Sequence, residues 1–244
     1  MVCVDELARL LREHHFKAEA MSQRILIFST HPDDETLGCG GTVLRHAKDG
    51  DHLYWLIVTA PHEPQWSAEI RERKAKEIER VAEAYGVKKT FKLGFPTAKL
   101  ETVPQGELID AIREVIAEVK PEIVYMIHGG DVHTDHQVAF RAAMSVIKPF
   151  YMRKFGIRRV LSYETISSTD AAPPQLNVAF VAHCFVDITP YLQKKLDIMS
   201  LYETETHPDP MPRGPSAIRA LARFRGATVN VEYAEAFMLI REVL

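Results

Sequence analysis

The stretch "RILIFSTHPDDETLGCGG" (24–41) decides how the rest of the chain is read. Its start, "RILIFST" (24–30), is a nearly unbroken apolar run. A strand covered on both faces reads this way, where a half-exposed one would alternate. His31, Asp33, Asp34 and Glu35 then fall within five positions, and glycines at 38, 40 and 41 lead into "GTVLRHAKDG" (41–50), a helix ending at Gly50. Crowding like charges at a strand end does little for a purely structural protein. A metal site, a phosphate cradle or a decorated helix cap each account for it.

Working outward, strands and helices alternate. "HLYWLIVTA" (52–60), "KTFKLGF" (89–95) and "EIVYMIHG" (122–129) read as strands. "SAEIRERKAKEIERVAEAYG" (67–86), "ELIDAIREVIAEVK" (107–120) and "DHQVAFRAAMSVIK" (135–148) read as helices. Strands joined by helices of this length imply right-handed crossovers and a mostly parallel sheet. Beyond residue 155 the pattern is less regular: "RRVLSYETIS", "NVAFVAHCFVDIT", a helix through "YLQKKLDIMSLYETE", and a final strand-like "EYAEAFMLIREVL". The Pro-rich "HPDPMPRGP" (207–215) reads as a loop. The expected fold is α/β and Rossmann-like, with helices on both faces and a more irregular C-terminal half. Residues 1–20 read as an amphipathic helical extension, with Val4, Leu7, Leu10 and Leu11 on one face, and 21–244 as a single domain.

The 244 residues carry a net charge of −3, so no basic field points to nucleic acid or an anionic membrane. No apolar run approaches the roughly 18 residues of a membrane helix. Three scattered cysteines without CxxC spacing fit neither a disulfide framework nor a thiolate metal cluster, and a reducing, cytoplasmic setting is expected.

A second cluster, "HGGDVHTDH", holds His128, Asp131, His133, Asp135 and His136. Like the first, it follows an expected parallel strand and precedes a helix. Ligands of open α/β sheets bind beyond the strand C-termini, so the two clusters can meet there. His31 and Asp34 can aim a nitrogen and an oxygen at one point, and His136 can add a second imidazole. Two His and one carboxylate with an open position is a ligand set of catalytic Zn²⁺ sites. Asp33 stands beside them without being needed as a ligand and can take a proton from water. His133 can stabilise an oxyanion or protonate a leaving amine, with Asp135 or Asp131 orienting it. His128 reads as a packed or supporting histidine. The glycines fit no nucleotide-binding pattern: Val43 stands where G-x-G-x-x-G needs its third Gly, and no G-x-x-x-x-G-K-[ST] is present. They read instead as small residues that let the helix start pack tightly under the site.

In these residues the chain resembles the PIG-L/LmbE family of zinc-dependent N-deacetylases, from about residue 24 to the end. "HPDDETLGCGGT" fits the first family motif and "DVHTDH" resembles the second. Weaker echoes are "RKAKEIERVAEAYGV" with "LGFP", then "SYET", "FVDITPYLQKKLDIMSLY" and "VEYAEAFMLIR". The resemblance implies Zn²⁺ on His31, Asp34 and His136, Asp33 as catalytic base, and His133 supporting the tetrahedral intermediate with Asp135 beside it. It also implies an arginine of the charged helix, Arg73 or alternatively Arg71, as a substrate contact. The implied substrate is a small N-acetylated amino sugar of GlcNAc type or a conjugate, and self-association is compatible with it. A zinc hydrolase of another amide or ester, or a non-catalytic sugar- or nucleotide-binding module, stays open. Glu35 is left between a supporting partner and a charge on the helix dipole. Thr134 stands where the family usually has proline, Thr97 where an aspartate is common, and "ETET" (203–206) replaces a usual Ser-Gln. The last two departures bear on substrate choice.

Overall fold

The computed structural model describes residues 22–173 and 179–244. The expected N-terminal helix (1–20) lies outside the described residues.

The first strand, β1 (Arg24–Ser29), has side chains at 25–28 that are at most 1% exposed, as its continuous apolar run requires. Burying one such Ile, Leu or Phe side chain is worth roughly 1.5–3 kcal/mol. Chain order continues with α1 (Asp34–Asp49), β2 (His52–Ala60), α2 (Ala68–Tyr85), β3 (Lys89–Pro96), a 3-10 turn at Leu100–Thr102, α3 (Gln105–Val119) and β4 (Ile123–Ile127). It closes with α4 (Thr134–Val146), α5 (Pro149–Phe155), β5 (Arg159–Tyr163), β6 (Cys184–Asp187), α6 (Leu192–Met199), α7 (Pro215–Thr228) and β7 (Ala234–Glu242).

Seven strands form one sheet in the order β3-β2-β1-β4-β5-β7-β6. The first five are parallel, and β7 runs antiparallel to both β5 and β6. The mostly parallel sheet is therefore as expected, and its 3-2-1-4-5 portion follows the doubly wound order. The chain winds outward one way through β2 and β3, then returns to β4 on the other side of β1, with Ile25 opposite Ile123 and Phe28 opposite Met126. The strand order reverses between β1 and β4, so the ligand crevice opens between them. The two His/Asp clusters are the segments that follow these two strands. Among the described residues, no helix is long and apolar enough to cross a membrane.

Helix α1 starts at Asp34 rather than at residue 41, and it is kinked at Cys39 (φ −141°). The kink frees the N–H groups of Gly41 and Thr42, and the buried Glu235 carboxylate on β7 accepts both, at 2.8 and 2.7 Å. Lys195 of α6 donates to Glu235 (2.7 Å) and to Leu37 O (2.9 Å). The glycines sit in close packing, as their size suggested. A Cβ on Gly38 would lie 2.0 Å from the Tyr163 ring, and one on Gly41 would lie 2.6 Å from Ile188. Helix α7 had no counterpart in the sequence reading. Its Ile218, Ala222 and Gly226 are buried at four-residue spacing, too sparse an apolar stripe to stand out in a run of Arg and Ala.

Candidate metal centre

His31, Asp34 and His136 converge at the crevice. His31 Nδ1 lies 3.1 Å from His136 Nε2, His136 Nε2 lies 3.3 Å from Asp34 Oδ1, and His31 Nδ1 lies 3.8 Å from Asp34 Oδ2. Two donors each ~2.0–2.1 Å from a tetrahedral ion lie about 3.3 Å apart, so the spacing suits one small cation.

The outer partners set the direction of each donor. His31 Nε2 is 3.0 Å from Asp135 Oδ2, and His136 Nδ1 is 2.7 Å from Asp131 Oδ2, which places a hydrogen on each outer nitrogen. Thr169 Oγ1 donates to Asp131 Oδ1 at 2.5 Å. The N–H groups of Thr30 and His31 both donate to Asp34 Oδ2 (2.9 and 2.7 Å), leaving Oδ1 towards His136. Two imidazole lone pairs and a carboxylate oxygen therefore face one another in a mostly buried space. Such a set needs a proton or a cation between its members. Burial opposes a charged His136, yet Asp34 and Asp131 outweigh it and raise its pKa to about 10. Asp34 is held well below the usual carboxylate range: burial raises it, but His136 and His31 prevail. This donor set fits a divalent metal, which takes the place of that proton.

The expected consequence is a proton count. Cation binding requires neutral His136, so near pH 7 one proton is released per ion bound, and apparent affinity rises with pH. Calorimetric titration in buffers of different ionisation enthalpy measures it, and zero release would contradict the arrangement.

His133 caps α4, its Nδ1 accepting from Asp135 N at 3.2 Å. It also brings a ring nitrogen within 4.8 Å of those of His31 and His136. Asp34 stands 3.3 Å from His136 Nε2 and 3.8 Å from His31 Nδ1. With its Nδ1 engaged as an acceptor, His133 carries its hydrogen on Nε2, and its ring stacks on His136 with centroids 5.0 Å apart. Burial first, then His31 and His136, lower its pKa to about 4, so it is neutral at pH 7 and a hydrogen-bond donor.

Asp135 differs from expectation. Its carboxylate accepts from His31 Nε2 and from the N–H groups of Ala98 (2.7 Å) and Leu100 (3.1 Å), while its hydrogen bond with His133 runs from the Asp135 backbone N–H to His133 Nδ1. It ties the segment after β3 to His31. Asp131 likewise serves His136, not His133. Asp33, 2% exposed, takes φ 110° at the start of α1. Burial pushes its pKa well up; Arg213 opposes this, while Asp34, Glu205 and Glu35 add to it. Glu35 faces away from the crevice: Tyr202 OH and Thr36 Oγ1 donate to its Oε1, both at 2.6 Å, and burial raises its pKa to about 7. It supports the turn, with Asp33 N donating to its Oε2 at 3.2 Å. His128 is buried edge-on against Phe180.

A cleft of about 240 Å³ opens on this centre, lined by His31, Asp33, His133 and His136, and by Trp66, Lys74, Thr97, Glu205 and Arg213 among others. Arg73 is not brought to it. It sits one residue away from Lys74 on α2, about 100° around the helix, half-exposed and 3.7 Å from Glu69. Arg71 pairs with Glu63. The cleft cation of α2 is thus Lys74, which pairs with Glu205. Sequence reading missed Arg213, Lys74 and Trp66. Thr97 and Glu205 stand at the two departures singled out above.

The family profile of PIG-L, GlcNAc-PI de-N-acetylase, matches residues 26–147, half of the chain, and spans both clusters. A diacetylchitobiose deacetylase of Thermococcus kodakarensis is 24% identical over 229 residues, covering 89% of this chain and 83% of its own. A Bacillus anthracis protein described as a probable N-acetyl-α-D-glucosaminyl L-malate deacetylase is 24% identical over 195 residues (75% of this chain, 81% of its own). The crystal structure of the conserved protein TT1542 from Thermus thermophilus superposes with a TM-score of 0.72 at 25% identity, covering 91% of this chain and 96% of that one. With a profile match across half its length, placed on the strands and helices that build the crevice, the chain belongs to the PIG-L family.

Proposed function

We propose that the protein is a zinc-dependent hydrolase that removes the N-acetyl group from a GlcNAc-type amino sugar or its conjugate, with residues 21–244 acting as one catalytic domain. The observation that carries this reading is the convergence of three inward lone pairs, on His31, Asp34 and His136, with Asp33 and His133 on the same cleft. Family membership and two relatives named for deacetylation of N-acetylated sugars support the reaction class. Two nitrogens and one oxygen with room for a fourth ligand favour zinc.

When bound there, the metal supplies a positive charge that acidifies water and polarises a carbonyl. The chain's own groups then divide the proton work. Asp33 takes the proton of the attacking water. His133, neutral with its hydrogen on Nε2, donates to the carbonyl oxygen as it gains charge. The C–N bond breaks, acetate leaves, and the departing amine receives the proton held by Asp33. Asp135 and Asp131 keep His31 and His136 in the required tautomers. Trp66, Lys74 and Glu205 line the walls that meet the sugar, in place of Arg73.

The test is acetate release from a panel of N-acetylated amino sugars and their conjugates. The zinc-loaded protein is expected to release acetate from one class. Chelation should abolish release, and added zinc should restore it. No release from any member, or full activity after chelation, would overturn the proposal.

A further inference from the structure

Three non-glycine residues with left-handed backbone meet beside the cleft: Asp33 (φ 110°), Ser167 (φ 76°) and Arg213 (φ 68°). Each comes from a different connection, after β1, after β5 and before α7. Such conformations are strained for non-glycine residues and persist where the surroundings enforce them. Here Arg213 joins the other two. Its Nη1 donates to Asp33 Oδ2 at 3.0 Å and to Glu205 Oε2 at 2.9 Å, and its Nε donates to Ser167 Oγ at 3.2 Å. Glu205 in turn pairs with Lys74 of α2. A chain of alternating charge, Asp33–Arg213–Glu205–Lys74, thus runs from the centre along the cleft wall.

We infer that Arg213 is a positioning residue for Asp33, a guanidinium clamp that fixes the carboxylate by Oδ2 and leaves Oδ1 to take the proton. The inference rests on the assignment of Asp33 as base. A planar guanidinium serves three acceptors from one rigid fork, which an ammonium does not. The fork also explains why a Pro-rich loop far away in sequence reaches the centre: Pro212 precedes Arg213, and Gly214 and Pro215 lead from it into α7. Removing the clamp releases Asp33 to rotate in its pocket without touching His31, Asp34 or His136.

The experiment compares Arg213→Ala, Arg213→Lys and Asp33→Asn on the zinc-loaded protein with the substrate class identified by acetate release. Loss of a charge-assisted hydrogen bond predicts a fall in kcat of about 10- to 100-fold for Arg213→Ala, with KM and metal content nearly unchanged. Added guanidinium ion, below denaturing concentration, should recover much of that loss and do nothing for Asp33→Asn. If Arg213→Ala does not fold, Arg213→Lys is read in its place: lowered kcat at unchanged KM supports the clamp, and wild-type kcat overturns it. Wild-type kcat in Arg213→Ala, raised KM with kcat intact, or a loss that guanidinium does not touch would each overturn the inference while leaving the base assignment standing. An active Asp33→Asn would remove the base assignment itself.

Discussion

Asp33→Asn is expected to lower turnover by about two to four powers of ten, with close to one metal per chain retained and the thermal midpoint little changed. Asparagine is the informative replacement. At φ 110° most side chains are strained, but Asn tolerates left-handed backbone better than Ala does. Its side-chain oxygen can also still accept from Arg213. The substitution therefore removes the proposed proton acceptor and little else. His31, Asp34 and His136 keep their own partners, so metal content isolates the chemistry from the site's assembly. Steady-state acetate release with metal analysis on the same sample measures both. Turnover within a few-fold of the unsubstituted protein would exclude Asp33 as the base.

Glu235→Ala is expected to cost about 3–5 kcal/mol of folding stability, the usual penalty for removing one partner of a buried pair. The carboxylate accepts from Gly41 N, Thr42 N, Thr42 Oγ1 and Lys195 Nζ, and both charged side chains are under 5% exposed. Alanine leaves a buried ammonium and two freed helix N–H groups without their acceptor. Urea unfolding measures the loss. Lys195→Met in the same chain removes the stranded charge, so the double substitution should cost less than the sum of the two singles. Additive losses would mean that the pair does not act as a unit. The kink at Cys39 depends on this carboxylate, so weaker metal binding should accompany the lost stability.

Much of the fold was legible because its signals are local. Continuous apolar runs mark β1, β2 and β4, and a charged amphipathic stripe marks α2. The site was legible at motif level because both clusters lie within a few residues of strand ends. Helix α7 was not, since its buried face is only Ile218, Ala222 and Gly226. The role expected of Asp135 changed for a similar reason. Neighbours in sequence suggested His133, whereas α4 turns the Asp135 side chain back to His31 and to the segment following β3.

By itself, the sequence determined that two His/Asp clusters end parallel strands and that small residues follow the first. It did so because strand runs, helix stripes and motif spacing are properties of short segments. Only the tertiary structure decided which carboxylate steadies which imidazole, that Lys74 rather than Arg73 faces the cleft, and that Arg213 holds Asp33. Those contacts join residues up to 180 positions apart. They depend on helix rotation, on the reversal of strand order between β1 and β4, and on loops whose own sequence carries no periodic signal.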